Sequence, residues 1–302
     1  MKTILLNALG LFLIILIGYG LKRINLLSKA DGGTLSTIIL NVTLPAAIIV
    51  NLADLQIQTN LLILLLAGFL LNCLMILIGA VASKRKKTVE REFFMYSVSG
   101  YNVGNFTLPF LQSFFPVAVP LLAMFDMGNS IMLAGGSTVA IDKIVGEKAP
   151  VTILGIVKKL LKSIPFSAYL LMLILRSGEV VLPTSLIDIL KVMAEANTFL
   201  SMFMVGLYLE LNLPRKSYSL VTKTLGVRYG CGLILFALFY FLPIPHTMKI
   251  VLCLLSVSPI PTFSVINSVK AGMSEEIVGF TSSISFIIGL FFMTLALLLI
   301  GI

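Results

Sequence analysis

Apolar runs of about 20 residues succeed one another along the chain, separated by short polar segments, and that length is what a bilayer core demands. Ten such runs can be read, at about 4–21, 32–53, 61–82, 93–112, 117–137, 164–177, 184–208, 220–242, 247–267 and 276–300. Each predicts a membrane-spanning helix, which makes the chain an all-α polytopic membrane protein. The sixth run is short. Residues 151–163 before it alternate apolar positions with lysines and predict an amphipathic lead-in helix. The first run follows Lys2 and has no small-residue cleavage site, so it is expected to be a retained span. Composition agrees: hydrophobic residues make up 58% of the chain and charged residues 12%, where a soluble domain carries about 25%.

Charge sharpens the picture by its location. The net charge of +9 sits in short clusters between the runs, such as SKRKKTVER (83–91) and KKLLK (158–162). Basic loops at a cytoplasmic membrane surface explain this better than a face for nucleic acid. With the N-terminus outside, the loops after runs one, three, five, seven and nine hold 18 of the 22 lysines and arginines. That count includes Lys148, Arg215 and Lys216, and takes Lys223 and Arg228 as the cytoplasmic start of the eighth run. Lys2, Arg176 and Lys249 fall outside, and Lys191 lies within the seventh run. The asymmetry predicts a multi-pass protein of the plasma or inner membrane with both termini extracytoplasmic.

The runs also divide into two groups of five. Arg23 and Arg176, Asn41 and Asn197, Pro109 and Pro261, and Phe125 and Phe280 recur at offsets of 153, 156, 152 and 155. An odd number of spans per half inserts the second half upside down, the inverted-repeat plan of many secondary transporters. The expected organisation is a first repeat at 1–137, a cytoplasmic loop with its lead-in at 138–163, and an inverted repeat at 164–302.

Two runs carry polar, helix-breaking stretches at matching places: GYNVGNFTLP (100–109) in the fourth and SPIPTFSVIN (258–267) in the ninth. Pro109 donates no N–H and crowds the carbonyl of Asn105, while Pro259 and Pro261 break the ninth run twice. Freed backbone groups at membrane depth require protein or a water-filled cavity to satisfy them. A break also leaves a half-helix N-terminus, which favours an anion. Asn102 and Asn105 share a helix face, and Thr107, Ser258, Thr262 and Asn267 add hydroxyl and amide groups. With Pro109, Pro259, Pro261 and the nearby Asn129 they form the candidate substrate site. Asp126 in MFDMGNS is a carboxylate within a span and the candidate for a coupling ion. Lys191 and Glu195, four apart, predict a local ion pair, and Asn41 with Pro45 predicts a kink in the second span.

Other chemistry is not encoded. Cys73, Cys231 and Cys253 all lie in apolar runs and make no disulfide framework. A lone histidine, His246, supports neither a metal site nor a triad, and no hydrolase or nucleotide-binding motif occurs. Neither an enzyme nor a cofactor is expected.

LNVTLPAAIIVNL (40–52), GYNVGNFTLPF (100–110) and SPIPTFSVINSVKAGMSEEIVGFTSSIS (258–285) resemble the auxin efflux carrier family, which includes bacterial malate-permease-like transporters and the plant PIN proteins. The resemblance spans essentially the full length. It implies ten spans in inverted repeats, with a scaffold and a transport domain built from spans 3–5 and 8–10. It also implies broken helices 4 and 9 that cross where a small organic anion binds, with Asn105 and Pro109 on one side and Pro259 or Pro261 on the other. The implied anion is a carboxylate such as malate or an auxin-like acid; the loop between spans five and six is shorter than in many plant members and closer to the bacterial pattern, which favours a small organic acid over auxin itself. Implied partners are that anion, a proton or sodium as coupling ion, and membrane lipid, with a homodimer left open. Two alternatives are a sodium-coupled symporter of the bile-acid type, with Glu275 and Glu276 as further cation ligands, and an anion-binding sensor without flux.

Overall fold

The computed structural model describes residues 2–56, 59–146, 151–212 and 217–301. Lys148, Arg215 and Lys216, counted above as loop charges, lie outside them. Among the described residues there are thirteen helices and no strand. In chain order they are α1 (Lys2–Arg23), α2 (Lys29–Leu52), α3 (Thr59–Ala82), α4 (Thr88–Val98), α5 (103–114), α6 (Pro116–Val145) and α7 (Ile153–Lys162). There follow α8 (Ile164–Ser177), α9 (Thr184–Tyr208), α10 (Tyr218–Phe241), α11 (His246–Ser256), α12 (Thr262–Lys270) and α13 (Glu275–Ile300). Seven of them, α1, α2, α3, α6, α9, α10 and α13, are long and apolar enough to cross a membrane. The lead-in α7 meets α8 at a bend of 83°. The fourth and ninth apolar runs are each two short helices, and the fifth runs on to Val145 rather than ending near 137.

Local chemistry explains the ends. Ser28 starts α2 through a capping box: its hydroxyl accepts from the Asp31 N–H, and the Asp31 carboxylate accepts from the Ser28 N–H at 2.7 Å. The sequence Asn-x-Thr-Leu-Pro occurs at 41–45 and again at 105–109, and both copies form a widened π turn. Because a proline ring crowds the carbonyl four residues back, the helix opens by one residue, and the N–H groups of Leu44 and Leu108 reach the carbonyls of Ile39 and Val103.

Long apolar stripes face outward, including Leu62, Leu66, Leu70, Leu77 and Val81 on α3 and Ile234, Leu238 and Phe241 on α10. Exposed apolar surface on this scale suits acyl chains and not water. Lipid is as apolar as leucine, so helices here associate through close packing rather than hydrophobic expulsion. Gly18 and Gly206 let the backbones of α1 and α9 touch, and a Cβ on either would strike a main-chain carbonyl of the other helix. Gly68 and Gly128 do the same for α3 and α6.

Two sets of helices result. In the first, α1 and α2 pack against α9 and α8 packs against α2; in the second, α3, α4 and α6 pack together and meet α10–α13 through α4. The first set is tied at its helix ends. Lys22 at the end of α1 donates to the carbonyl of Leu209, just past α9, and sits 3.7 Å from Glu210. Arg176 near the end of α8 donates through Nε to the carbonyl of Leu55, just past α2, at 3.0 Å. Lys191 pairs with Asp188 at 3.5 Å, three residues before it, in place of Glu195.

Gly206→Leu is expected to force α1 from α9, with an overpacking cost of about 1–3 kcal/mol or more. The check is thermal stability in detergent by size-exclusion chromatography; a variant as stable as the parent would show that the close approach is unimportant.

Candidate functional site

The two polar stretches meet inside the second helix set. The first chain break lies at 99–102, seven or more residues before Pro109, which instead sits in the first turn of the helix after the π turn. Ser99 is extended, and Gly100 takes a left-handed φ of 76°. A Cβ at Gly100 would lie 2.7 Å from the Pro261 ring, so both conformation and contact require glycine there. The second break lies at 257–261. Here the prolines act as their sequence suggests: Ser258 and Ile260, each preceding a proline, are biased away from helix.

Every main-chain group opened by a break needs a partner in the membrane. Arg228 supplies most of the donors. Its Nη1 donates to the carbonyls of Ser97, Val98 and Ser99 at 3.0, 3.1 and 3.2 Å. Its Nη2 donates to Gly100, Ser258 and Pro259, each at 2.9 Å. One guanidinium thus caps the end of α4 and the second break together. Arg228 is 4% exposed and ten residues into α10, so it is no loop charge, and its place in the cytoplasmic count is corrected.

Neighbouring side chains complete the set. The Asn129 amide donates to the Tyr101 carbonyl at 3.0 Å, and its oxygen accepts from the Tyr101 N–H at 3.3 Å. Its second N–H goes to Asp126 Oδ1 at 2.9 Å, and its oxygen also accepts from Asn72 at 3.1 Å. All four hydrogen-bonding positions of Asn129 are therefore taken, which leaves none for a substrate. On the other side, Ser285 Oγ accepts from the Ile260 N–H at 2.9 Å and contacts the Tyr229 hydroxyl at 2.9 Å.

The breaks also bond to each other. The Asn102 N–H donates to the Pro259 carbonyl at 3.2 Å, and its amide donates to the Ile260 carbonyl at 3.0 Å. Thr107 turns inward, its hydroxyl donating to the Asn102 carbonyl at 3.0 Å. Asn105 Nδ2 donates to Thr262 Oγ1 at 3.4 Å, while its buried Oδ1 has no partner, nor does the buried hydroxyl of Ser258. Thr262 opens α12, whose first N–H groups point back at this junction. Across from it, α9 packs against 103–107 and brings Asn197 and Ser201, both buried with an unpartnered Nδ2 and Oγ. The Asn197 oxygen accepts from Thr43 at 3.0 Å. Asn41, its counterpart in the sequence offsets, is exposed and donates to the Thr37 carbonyl, so the two asparagines have unlike surroundings.

Asp126 is buried and joins the two helix sets. Its Oδ2 accepts from the Tyr169 hydroxyl of α8 at 3.1 Å, opposite the bond from Asn129. Glu275 and Glu276 are exposed in the first turn of α13, where they complement the helix dipole. Among the described residues no group of three metal-ligating side chains occurs. Asn267 lies apart from the junction, further along α12.

Sequence reasoning missed Arg228, Ser285, Tyr229, Asn72 and Tyr169. The signal for Arg228 was present in its position inside GVRYGCGL, since an ionisable residue deep in an apolar run is by default functional.

Residues 3–134 match the family model described as "Membrane transport protein". No curated protein matches the chain. The matched segment runs from α1 into α6 and includes the first break but not the second.

Arg228→Lys is expected to leave several carbonyls without a donor, at about 1–3 kcal/mol for each one buried and unsatisfied. A loss of folded yield and melting temperature greater than that of an exposed Lys158→Gln control would bear this out. Parity between the two variants would remove Arg228 from its role.

Proposed function

We propose that the chain, whose residues 3–134 match the family model described as "Membrane transport protein" and which resembles the auxin efflux carriers, moves a small organic anion by alternating access. The observation that carries the reading is the meeting of two interrupted helices in the membrane, with the Asn105 oxygen and the Ser258 hydroxyl unpartnered beside the N-terminus of α12. A carboxylate there would take hydrogen bonds from Thr262, from the α12 N–H groups and from the Asn105 amide after rotation. Only neutral donors reach it directly, while Arg228 adds a positive charge one layer behind. That balance suits an anion which must also leave.

The finer architecture of this reading is ten spans in two inverted five-helix repeats. Two ties support it, for a shift of 154 positions carries Lys22 onto Arg176 and their acceptor Leu55 onto Leu209. Thr43 and Asn197, bonded to each other, are also 154 apart, as residues beside a pseudo-twofold axis would be. In this reading α1, α2, α8 and α9 are the scaffold, and the remaining spans carry the substrate. Two cavities, of about 520 and 420 Å³, flank α12 on the side of the lysine-rich loops, and Thr262 lines the smaller. Access is therefore from that side, the cytoplasmic one under the charge asymmetry, which puts both termini outside the cell membrane.

Asp126 is the coupling residue of the proposal. A proton on its carboxyl makes it a poorer acceptor for Tyr169, which loosens α6 from α8. In a sodium-coupled scheme the two glutamates named as further cation ligands would stand apart from the junction, exposed in the first turn of α13.

Two substitutions test the reading in proteoliposomes loaded with mono- and dicarboxylates. Asn105→Ala should reduce flux at least tenfold with the protein still folded; full flux would sink the crossover site. Asp126→Asn should abolish the response of flux to an imposed proton gradient while exchange of anions continues. An unchanged response would leave Asp126 a structural residue.

A further inference from the structure

The two cavities beside α12 differ in charge. The smaller carries both signs, from Lys29, Lys270 and Glu275. The larger is enclosed by α2, α6, α12 and the bend between α7 and α8. Lys159, Lys162 and Lys270 line it together with Asn41, Ser130 and Asn267, and no carboxylate does. Thr138 and Ser163 add hydroxyls, and the remaining walls are apolar and include Phe263 and Ile266. Three ammonium groups around one pocket repel one another, at about 1 kcal/mol for a pair 4 Å apart in water and more where solvent is excluded. An anion in the pocket removes that repulsion, and the amides and hydroxyls give it oriented contacts. The volume lies within the range of small-molecule sites.

The geometry points to a second anion-binding site here, distinct from the crossover, for an oxyanion with an apolar flank: the carboxylate of a soluble acid or the phosphate of a lipid headgroup. Both sources share the chemistry that three lysines and two amides recognise. Lys159 and Lys162 come from the amphipathic α7, which places them at the membrane surface, while Lys270 and Asn267 come from α12. Lys270 stands about 12 Å along α12 from Thr262 at the crossover, by the rise of a helix. For a soluble acid the site is a station at the mouth of the path, and that destination rests on the transport reading above.

The test uses the full chain in phosphatidylcholine nanodiscs, with equilibrium binding of labelled malate at low and high salt. Lys159→Gln/Lys162→Gln should weaken a salt-sensitive class of malate sites at least tenfold, and Lys159→Arg/Lys162→Arg should retain it. Asn105→Ala should spare this class and remove the other. In nanodiscs containing phosphatidylglycerol, a headgroup occupant would suppress the lysine-dependent malate binding, and the glutamine variant would retain less of that lipid through purification. A glutamine variant that binds malate and retains phosphatidylglycerol as the parent does overturns the inference. If Asn105→Ala changes nothing while the lysine variant does, the crossover reading fails and this site stands.

Discussion

A chain that interrupts its helices inside hydrocarbon must pair every main-chain group it frees, because no water is there to do so. Arg228 is the answer this sequence carries. A lone charge at that depth is itself expensive, by several kcal/mol, and a cluster of bare carbonyls is too. Placed together they solve each other: six carbonyl oxygens surround the guanidinium, and its Nη1 and Nη2 groups close off both breaks. Hydrogen bonds to a charged group contribute roughly 1.5–3 kcal/mol each, so the arrangement outweighs any single glycine or proline at the junction. It also joins segments about 130 residues apart, so neither break has its shape without the other half of the chain.

Asn129 and Ser285 perform the same service on a smaller scale, each from a long helix lying behind one break. Together with the direct bonds from Asn102, they make the junction a piece of tertiary structure rather than two local kinks. This is why the sites most open to a ligand are few. Asn102, Thr107 and Asn129 are turned inward to hold the main chain, and the unpartnered groups include Asn105 and Ser258 with Asn197 and Ser201 across from them.

How far the sequence revealed this follows the range of the forces involved. Apolar runs fix helices locally, so the long spans were legible to within a few residues except at the end of the fifth, which runs on to Val145, and so was the amphipathic α7. The break at 257–261 was legible because two prolines dictate backbone locally. The break at 99–102 was misplaced toward Pro109, since the proline's strain is absorbed by a π turn and the interruption is set by Gly100 against Pro261 and by Arg228, contacts that no local window contains. Arg228 was lost for a related reason: charges were assigned to the nearest loop, and only packing shows that its acceptors lie in the membrane. The region around Asp126 and Asn129 stood out by its polarity, but the commitment of Asn129 to Tyr101 depends on how α6 lies across the break.

The single guanidinium across both interruptions has a mechanical consequence. A junction fastened in this way cannot flex at its own breaks without parting several charge-assisted bonds at once, so the weak points on either side of it are stiff. Compliance has to lie elsewhere, along the apolar surfaces between the two helix sets, where few polar contacts such as Asp126 with Tyr169 stand in the way. In the transport proposed above, the molecule would then be soft in sliding and rigid in bending, and an anion at the junction would travel in a cradle that keeps its shape.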